Sequence, residues 1–287
     1  MTVRFFGPAA LATILIAGAP NRAAQGGIHL QQPEPEDANA KHWLDSGVQA
    51  YKQGETEVAL VDFKKATELD PTLISAQLYL ATAYASQYIP GAPGEENIQY
   101  GKTALQTFQE ILKTQPNNKT AIDGIASILY NIASEPFDLK MMEESKAYHR
   151  KHIVLAPNDA QPYYWIGVID WSIAYRANAK LREQWSKGSS GTLGPEDPLP
   201  EVDREEFSAK YAATVKEGID SLKKAIDLNP DYDDAMAYLN LLYKQKAEME
   251  SSGAARDEDL NTADNLVERA ISIKQRKMAQ AEQSPEN

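Results

Sequence analysis

The chain has 287 residues, 43% of them hydrophobic, with a formal net charge of −12 and no cysteine. That apolar share is enough for a core and argues against wholesale disorder. The acidic balance disfavours nucleic acid or an anionic lipid surface as partner, since both require clustered Lys and Arg, and the lack of Cys excludes thiol catalysis, disulfides and thiolate metal sites.

The first element is MTVRFFGPAALATILIAGAP. Arg4 precedes an uncharged run whose apolar part, Phe5 to Ala19, is 15 residues long. A bilayer span needs about 20 apolar residues, so residues 1–24 read as a secretory signal peptide. Ala17-Gly18-Ala19 has the small-x-small form of a cleavage site, and Pro20 shifts the expected cut towards Ala23 or Ala24. An uncleaved signal acting as a membrane anchor is the alternative. A lipid anchor at this position is excluded, because no Cys follows the apolar segment. Residues 25–37, QGGIHLQQPEPED, read as a flexible linker. The expected setting is periplasmic or secreted, with no membrane span in the mature chain.

From Ala40 onward residue types recur at fixed steps. The first unit carries Trp43, Gly47, Tyr51, Gly54, Ala59, Phe63, Ala66 and Pro71. The second follows with Leu80, Ala81 and Tyr84, then Ala104, Phe108, Ile111 and Pro116. A third has Ile125, Ala126 and Leu129 and closes at Pro157. A fourth has Ile166 and Gly167, then Gly218, Leu222, Ala225 and Pro230. The fifth has Leu239 and Tyr243, then Ala263, Val267 and Ala270, with no closing Pro.

This pattern resembles the tetratricopeptide repeat, whose signature is W-x2-L-G-x2-Y, then A-x3-F, then P. Ser46 stands where the family has Leu, and Ala50 where it has Tyr, with Tyr51 one place later. The resemblance implies an all-α fold, an α-solenoid of five helix-turn-helix units at about 40–73, 74–118, 119–159, 160–232 and 233–276, followed by a disordered tail at 281–287. The residue types have a physical logic. Small side chains let the two helices of a unit, A and B, cross closely, where a larger one would cost roughly 1–3 kcal/mol. Phe63 and its counterparts plug the space between units. Proline cannot continue a helix and so ends helix B. A terminal unit is atypical because it caps the array.

Insertions fall between helices A and B. The largest, in the fourth unit, contains KGSSGTLGPEDPLPEVD at 187–203 and reads as a mobile surface loop. Helix A of that unit is expected to run to about Gln184, and helix B to start near Glu201.

No constellation for catalysis stands out. KGSSGTLG lacks the spacing and the preceding strand of a phosphate loop. His149 and His152 lie three apart on one helical face, with Glu144 nearby, as a metal pair would require. In the repeat frame, however, they occupy the places of Phe63 and Ala66, which makes them packing residues. Paired carboxylates such as Glu95-Glu96 and Asp233-Asp234 sit at helix starts, where they complement the dipole. Asn118-Lys119-Thr120 fits the glycosylation triplet but lies at a helix start. No catalytic residue, cofactor or metal is expected.

The resemblance implies a concave face, lined by helix A, that binds peptides or partner proteins. Carried onto this chain, it selects Tyr51, Tyr130, Asn131, Tyr164, Val168 and Trp171 as a peptide-binding groove. Leu44 and Val48 stand where relatives that grip acidic chaperone tails carry charged residues, so that clamp is missing. The function expected is a non-enzymatic scaffold binding a protein or peptide in a bacterial cell envelope. The alternative is a module for a small molecule, glycan or lipid, with 187–203 as its lid.

Overall fold

A computed structural model describes residues 39–187, 193–194 and 197–283. The expected signal and linker lie outside the described residues. The chain divides into two compact units, Met1–Pro136 and Phe137–Asn287. Among the described residues the first holds α1 (Ala40–Lys52), α2 (Thr56–Leu69), α3 (Ile74–Gln87), α4 (Glu95–Thr114) and α5 (Lys119–Ser134). The second holds α6 (Leu139–Leu155), α7 (Ala160–Lys187), α8 (Glu201–Leu228), α9 (Asp233–Ala247) and α10 (Gly253–Gln283). The ten helices and the all-α class match expectation, and the division falls between the two helices of the third repeat.

The helices start and stop for local reasons. Asn39, Asn118 and Asp138 cap α1, α5 and α6, their side-chain oxygens accepting from the N–H of Lys41, Ala121 and Met141. Four helix ends share one turn. The N–H groups of Asp70, Gln115, Ala156 and Asn229 donate to the carbonyls of Ala66, Ile111, His152 and Ala225 at 3.0, 2.8, 2.8 and 2.9 Å. Each of these residues precedes a proline, which pushes it out of the helical region. Each then accepts from the N–H three residues on, belonging to Leu73, Asn118, Asp159 and Tyr232, at 3.1, 3.0, 3.1 and 3.0 Å. The chain reverses in four residues, and the next helix begins. α10 meets no such proline. It runs through Gln283, past the expected unit boundary at 276 and into the segment expected to be a disordered tail. Arg276 and Lys277 tie it to Asp231 and Asp233 at 2.6 and 2.5 Å.

In the first unit α1 packs on α2, α3 on α4, and each B helix also packs on the next A helix. Ala59, Phe63 and Ala66 are fully buried between them. Gly47 is small because Phe63 occupies its space: a Cβ there would lie 2.6 Å from the ring. Phe63 stacks on Tyr79 of α3 at 5.4 Å, which is how the plug joins one pair to the next. In the second unit α7 pairs with α8 and α9 with α10, and α6 packs on α7. Leu222 fills the space over Gly167 as Phe63 does over Gly47. The fifth repeat solves the same contact differently. Asn240 stands at the small position, buried, and donates from Nδ2 to the carbonyl of Ala263 at 2.7 Å.

Ala59→Arg places a charge in a contact with no room and no partner, and should cost roughly 3 kcal/mol or more. Glu57→Arg, at an exposed site two residues away, should stay within about 0.5 kcal/mol. Urea denaturation of the two variants measures both.

Candidate binding surface and buried polar cluster

The six groove residues are divided between the two units. Tyr51 on α1, with Tyr130 and Asn131 on α5, belong to the first; all three are half-buried. Tyr51 lies 6.5 Å from Phe63, and its buried hydroxyl has no hydrogen-bond partner among the described residues. Tyr164, Val168 and Trp171 lie on α7 in the second unit. There the expected lining needs correction. Val168 is fully buried and Tyr164 is 7% exposed, so neither presents a surface to a ligand. α9 packs on α7 as well as on α8, and its Tyr238 meets Tyr164. Tyr164 is enclosed by Trp165, Tyr232 and Tyr238, with ring centroids 5.4, 4.9 and 5.7 Å away.

Trp171 remains half-buried. It stacks on Tyr175 at 5.2 Å and meets Tyr238 edge-on at 5.3 Å. Tyr175, 38% exposed, is the accessible end of this ladder. Beside it, Arg176 lies over the ring of Phe137 at 5.2 Å. Sequence reasoning missed Tyr175 and Tyr238. The i, i+4 step from Trp171 to Tyr175 was a usable signal, but it falls on the stretch of α7 beyond the 13 or 14 residues that helix A spans in the first two repeats.

The described part of the 187–203 insertion is pinned. Arg182 on α7 donates to the carbonyls of Gly194 and Asp197 at 3.0 and 2.8 Å and to Glu248, the residue that follows α9, at 2.8 Å. Its Nε donates to Asn178, which in turn donates to Gln245 at 2.9 Å. Leu199 is buried, and Trp185 donates to Asp203. A planar guanidinium that reaches two backbone carbonyls and a carboxylate fixes geometry as well as sign. The expectation of a mobile loop or lid is therefore corrected for residues 193–194 and 197–203; residues 188–192 and 195–196 lie outside the described residues.

Below this surface lies a charged cluster that sequence reasoning did not single out. Lys146 of α6 is 1% exposed and Asp170 of α7 fully buried, with Nζ 2.5 Å from Oδ1. Lys146 also meets Glu217 of α8 at 2.9 Å and Glu143 at 3.2 Å, and Arg150 takes the other oxygen of Glu217 at 2.5 Å. Burial opposes the charge on Lys146, yet the carboxylates of Asp170, Glu217 and Glu143 hold its pKa above the ordinary value. Burial pushes Asp170 up, to about 7, against the pull of Lys146. Burial likewise opposes the charge on Glu217, but hydrogen bonds from Arg150 and Lys146 outweigh it and hold its pKa low. His149 and His152 are buried, at 2% and 4% exposure, in the packing positions the repeat frame gives them. His152 Nε2 lies 3.3 Å from Asp159. Among the described residues no three His, Asp or Glu side chains gather closely enough to hold a metal.

No family profile matches the chain, and no curated protein matches it significantly in sequence. Solved structures match in fold. MamA from Desulfovibrio magneticus, residues 41 to its end, is 16% identical over 82% of this chain and 95% of its own, with a TM-score of 0.52. Another MamA crystal structure gives a TM-score of 0.53 at 16% identity, over 85% of this chain and 95% of that one. With the ten helices, these matches show an all-α solenoid fold, the one that the resemblance to the tetratricopeptide repeat implies.

Lys146→Met strips Asp170 of its cation and should cost about 3–5 kcal/mol at pH 8, because a buried carboxylate is left uncompensated. Adding Asp170→Leu should recover most of that loss. The deficit of the single variant should shrink towards pH 5, since the displaced carboxyl then takes up a proton and sheds its charge. Urea denaturation of the single and double variants at the two pH values reads all three outcomes.

Proposed function

We propose that the protein is a non-enzymatic interaction scaffold that binds a protein or peptide segment on the aromatic surface formed by α7 and α9. The observation that carries this reading is the Trp171, Tyr175 and Tyr238 ladder. Its inner rings are locked by ring–ring contacts and its outer ring is open to solvent. Rigid aromatics with a polar edge are favoured anchors, because they contribute large contact area at little entropic cost. The net charge of −12 argues against nucleic acid as the ligand. The cell envelope is the proposed setting, on the strength of Arg4 and the apolar run from Phe5 to Ala19. No described helix is long and apolar enough to cross a membrane.

Crosslinking in cells, followed by mass spectrometry, identifies the partner. Tyr175→Ala should then weaken binding of that partner by tenfold or more with helical circular dichroism unchanged, in line with the 2 kcal/mol or so lost at an interface hot spot. Unchanged affinity, or recovery of no defined partner, would overturn the reading.

A further inference from the structure

The joint between α6 and α7 differs from the others in its chemistry. The plug is Phe63, Phe108, Leu222 or Val267 elsewhere, but here it is His149. The residue one turn on is Ala66, Ile111, Ala225 or Ala270 elsewhere, but here it is His152. His149 is 2% exposed, and neither ring nitrogen has a hydrogen-bond partner among the described residues. It lies flat on Trp165 of α7, centroids 6.2 Å apart and planes 4° from parallel. Trp165 in turn meets Tyr164 edge-on, inside the ring cluster beneath the candidate surface. A neutral imidazole can serve as a flat packing plug. An imidazolium in the same place would be a buried cation without an acceptor.

The surrounding groups do not relieve that cation. Lys146 sits one turn before His149 on α6, and Arg150 follows it. The carboxylates facing this joint are already engaged: Asp170 of α7 by Lys146, Glu217 of α8 by Lys146 and Arg150, and Glu143 of α6 by Lys146. Asp159, in the α6–α7 turn, faces His152. A proton on His152 therefore meets an anion, whereas a proton on His149 meets none.

We propose that the α6–α7 joint is an acid-opened latch, in which protonation of His149 releases α6 from α7 and loosens Trp165 and Tyr164 beneath the binding surface. Its consequence for binding rests on the functional reading above; the latch itself does not. The sign follows from the burial. Desolvation, reinforced by His152, pulls His149 down to about 3 from an ordinary 6.5. At His149 the closed state then binds fewer protons than the open one, so this residue favours the closed joint fully above pH 6.5 and less as pH falls below it. Asp170, whose pKa is raised to about 7, works in the opposite direction by a comparable amount, so the latch shows as the difference between the parent protein and a variant without the imidazole.

Amide hydrogen exchange of the full chain at pH 7.5 and pH 5.0, corrected for intrinsic rates, tests this without any ligand. On acidification, opening of α6 should rise at least about tenfold more in the parent protein than in His149→Leu, while α3, which has no charged residue from Ile74 to Gln87, stays constant. His149→Leu copies the plug of the fourth repeat and keeps Asp170, and His152→Asn should respond as the parent protein does. Equal pH responses of α6 in the parent protein and in His149→Leu overturn the latch. NMR of the parent protein decides the matter should the variant not fold: a His149 ring that titrates near 6.5 in the folded state overturns the proposal, and one that stays neutral at pH 5 supports it. A working latch without partner binding would sink the functional reading alone.

Discussion

A bulky side chain seated against a glycine or alanine of the neighbouring helix is the contact on which the rest of this structure depends. Phe63 over Gly47 and Leu222 over Gly167 let two helices approach until the ring or branch fills the gap. The same side chain reaches onward to the next helix, as Phe63 does to Tyr79. One residue therefore sets both the distance within a pair and the contact between pairs. The proline turns make this repeatable, because four residues carry the chain from one helix B to the next helix A with the same two hydrogen bonds each time. A protein built this way spreads its core along the chain, and each contact depends mainly on its neighbours.

That modularity leaves individual joints free to carry unusual chemistry. The α6–α7 joint holds two imidazoles and an ammonium–carboxylate pair where other joints hold aromatic, aliphatic or alanine side chains. Ionic groups buried to this degree seldom improve stability over apolar residues of equal volume. Their effect is to make the contact conditional on geometry and protonation, since each charge is tolerable only while its partner stays in place. The aromatic ladder on α7 and α9 stands on this conditional base, through the stack of His149 on Trp165 and of Trp165 against Tyr164.

The fourth repeat shows how an insertion can be absorbed rather than left loose. Lengthening α7 to Lys187 carries Arg182 beyond the length that helix A has in the first two repeats. From there its guanidinium gathers Gly194, Asp197 and Glu248 into one hydrogen-bonded knot. The polar, glycine-rich composition of the segment concealed this, because composition reports the preference of isolated residues and not the donors waiting on an adjacent helix.

The ten helices, their pairing order in the first two repeats and the burial of His149 and His152 were all legible in the sequence. Small residues, plugs and prolines act through local sterics that recur at fixed spacing, and a periodic cause leaves a periodic trace. The burial of the expected groove residues was only partly legible. Tyr51, Tyr130 and Trp171 are half-buried, whereas Val168 is fully buried and Tyr164 is enclosed by rings that include Tyr238 of α9. The partnership of Lys146 with Asp170 and Glu217, across separations of up to 71 residues, left no trace in spacing. Which charges meet, and which rings stay open to water, depend on where distant helices lie, and that was decided only by the tertiary packing.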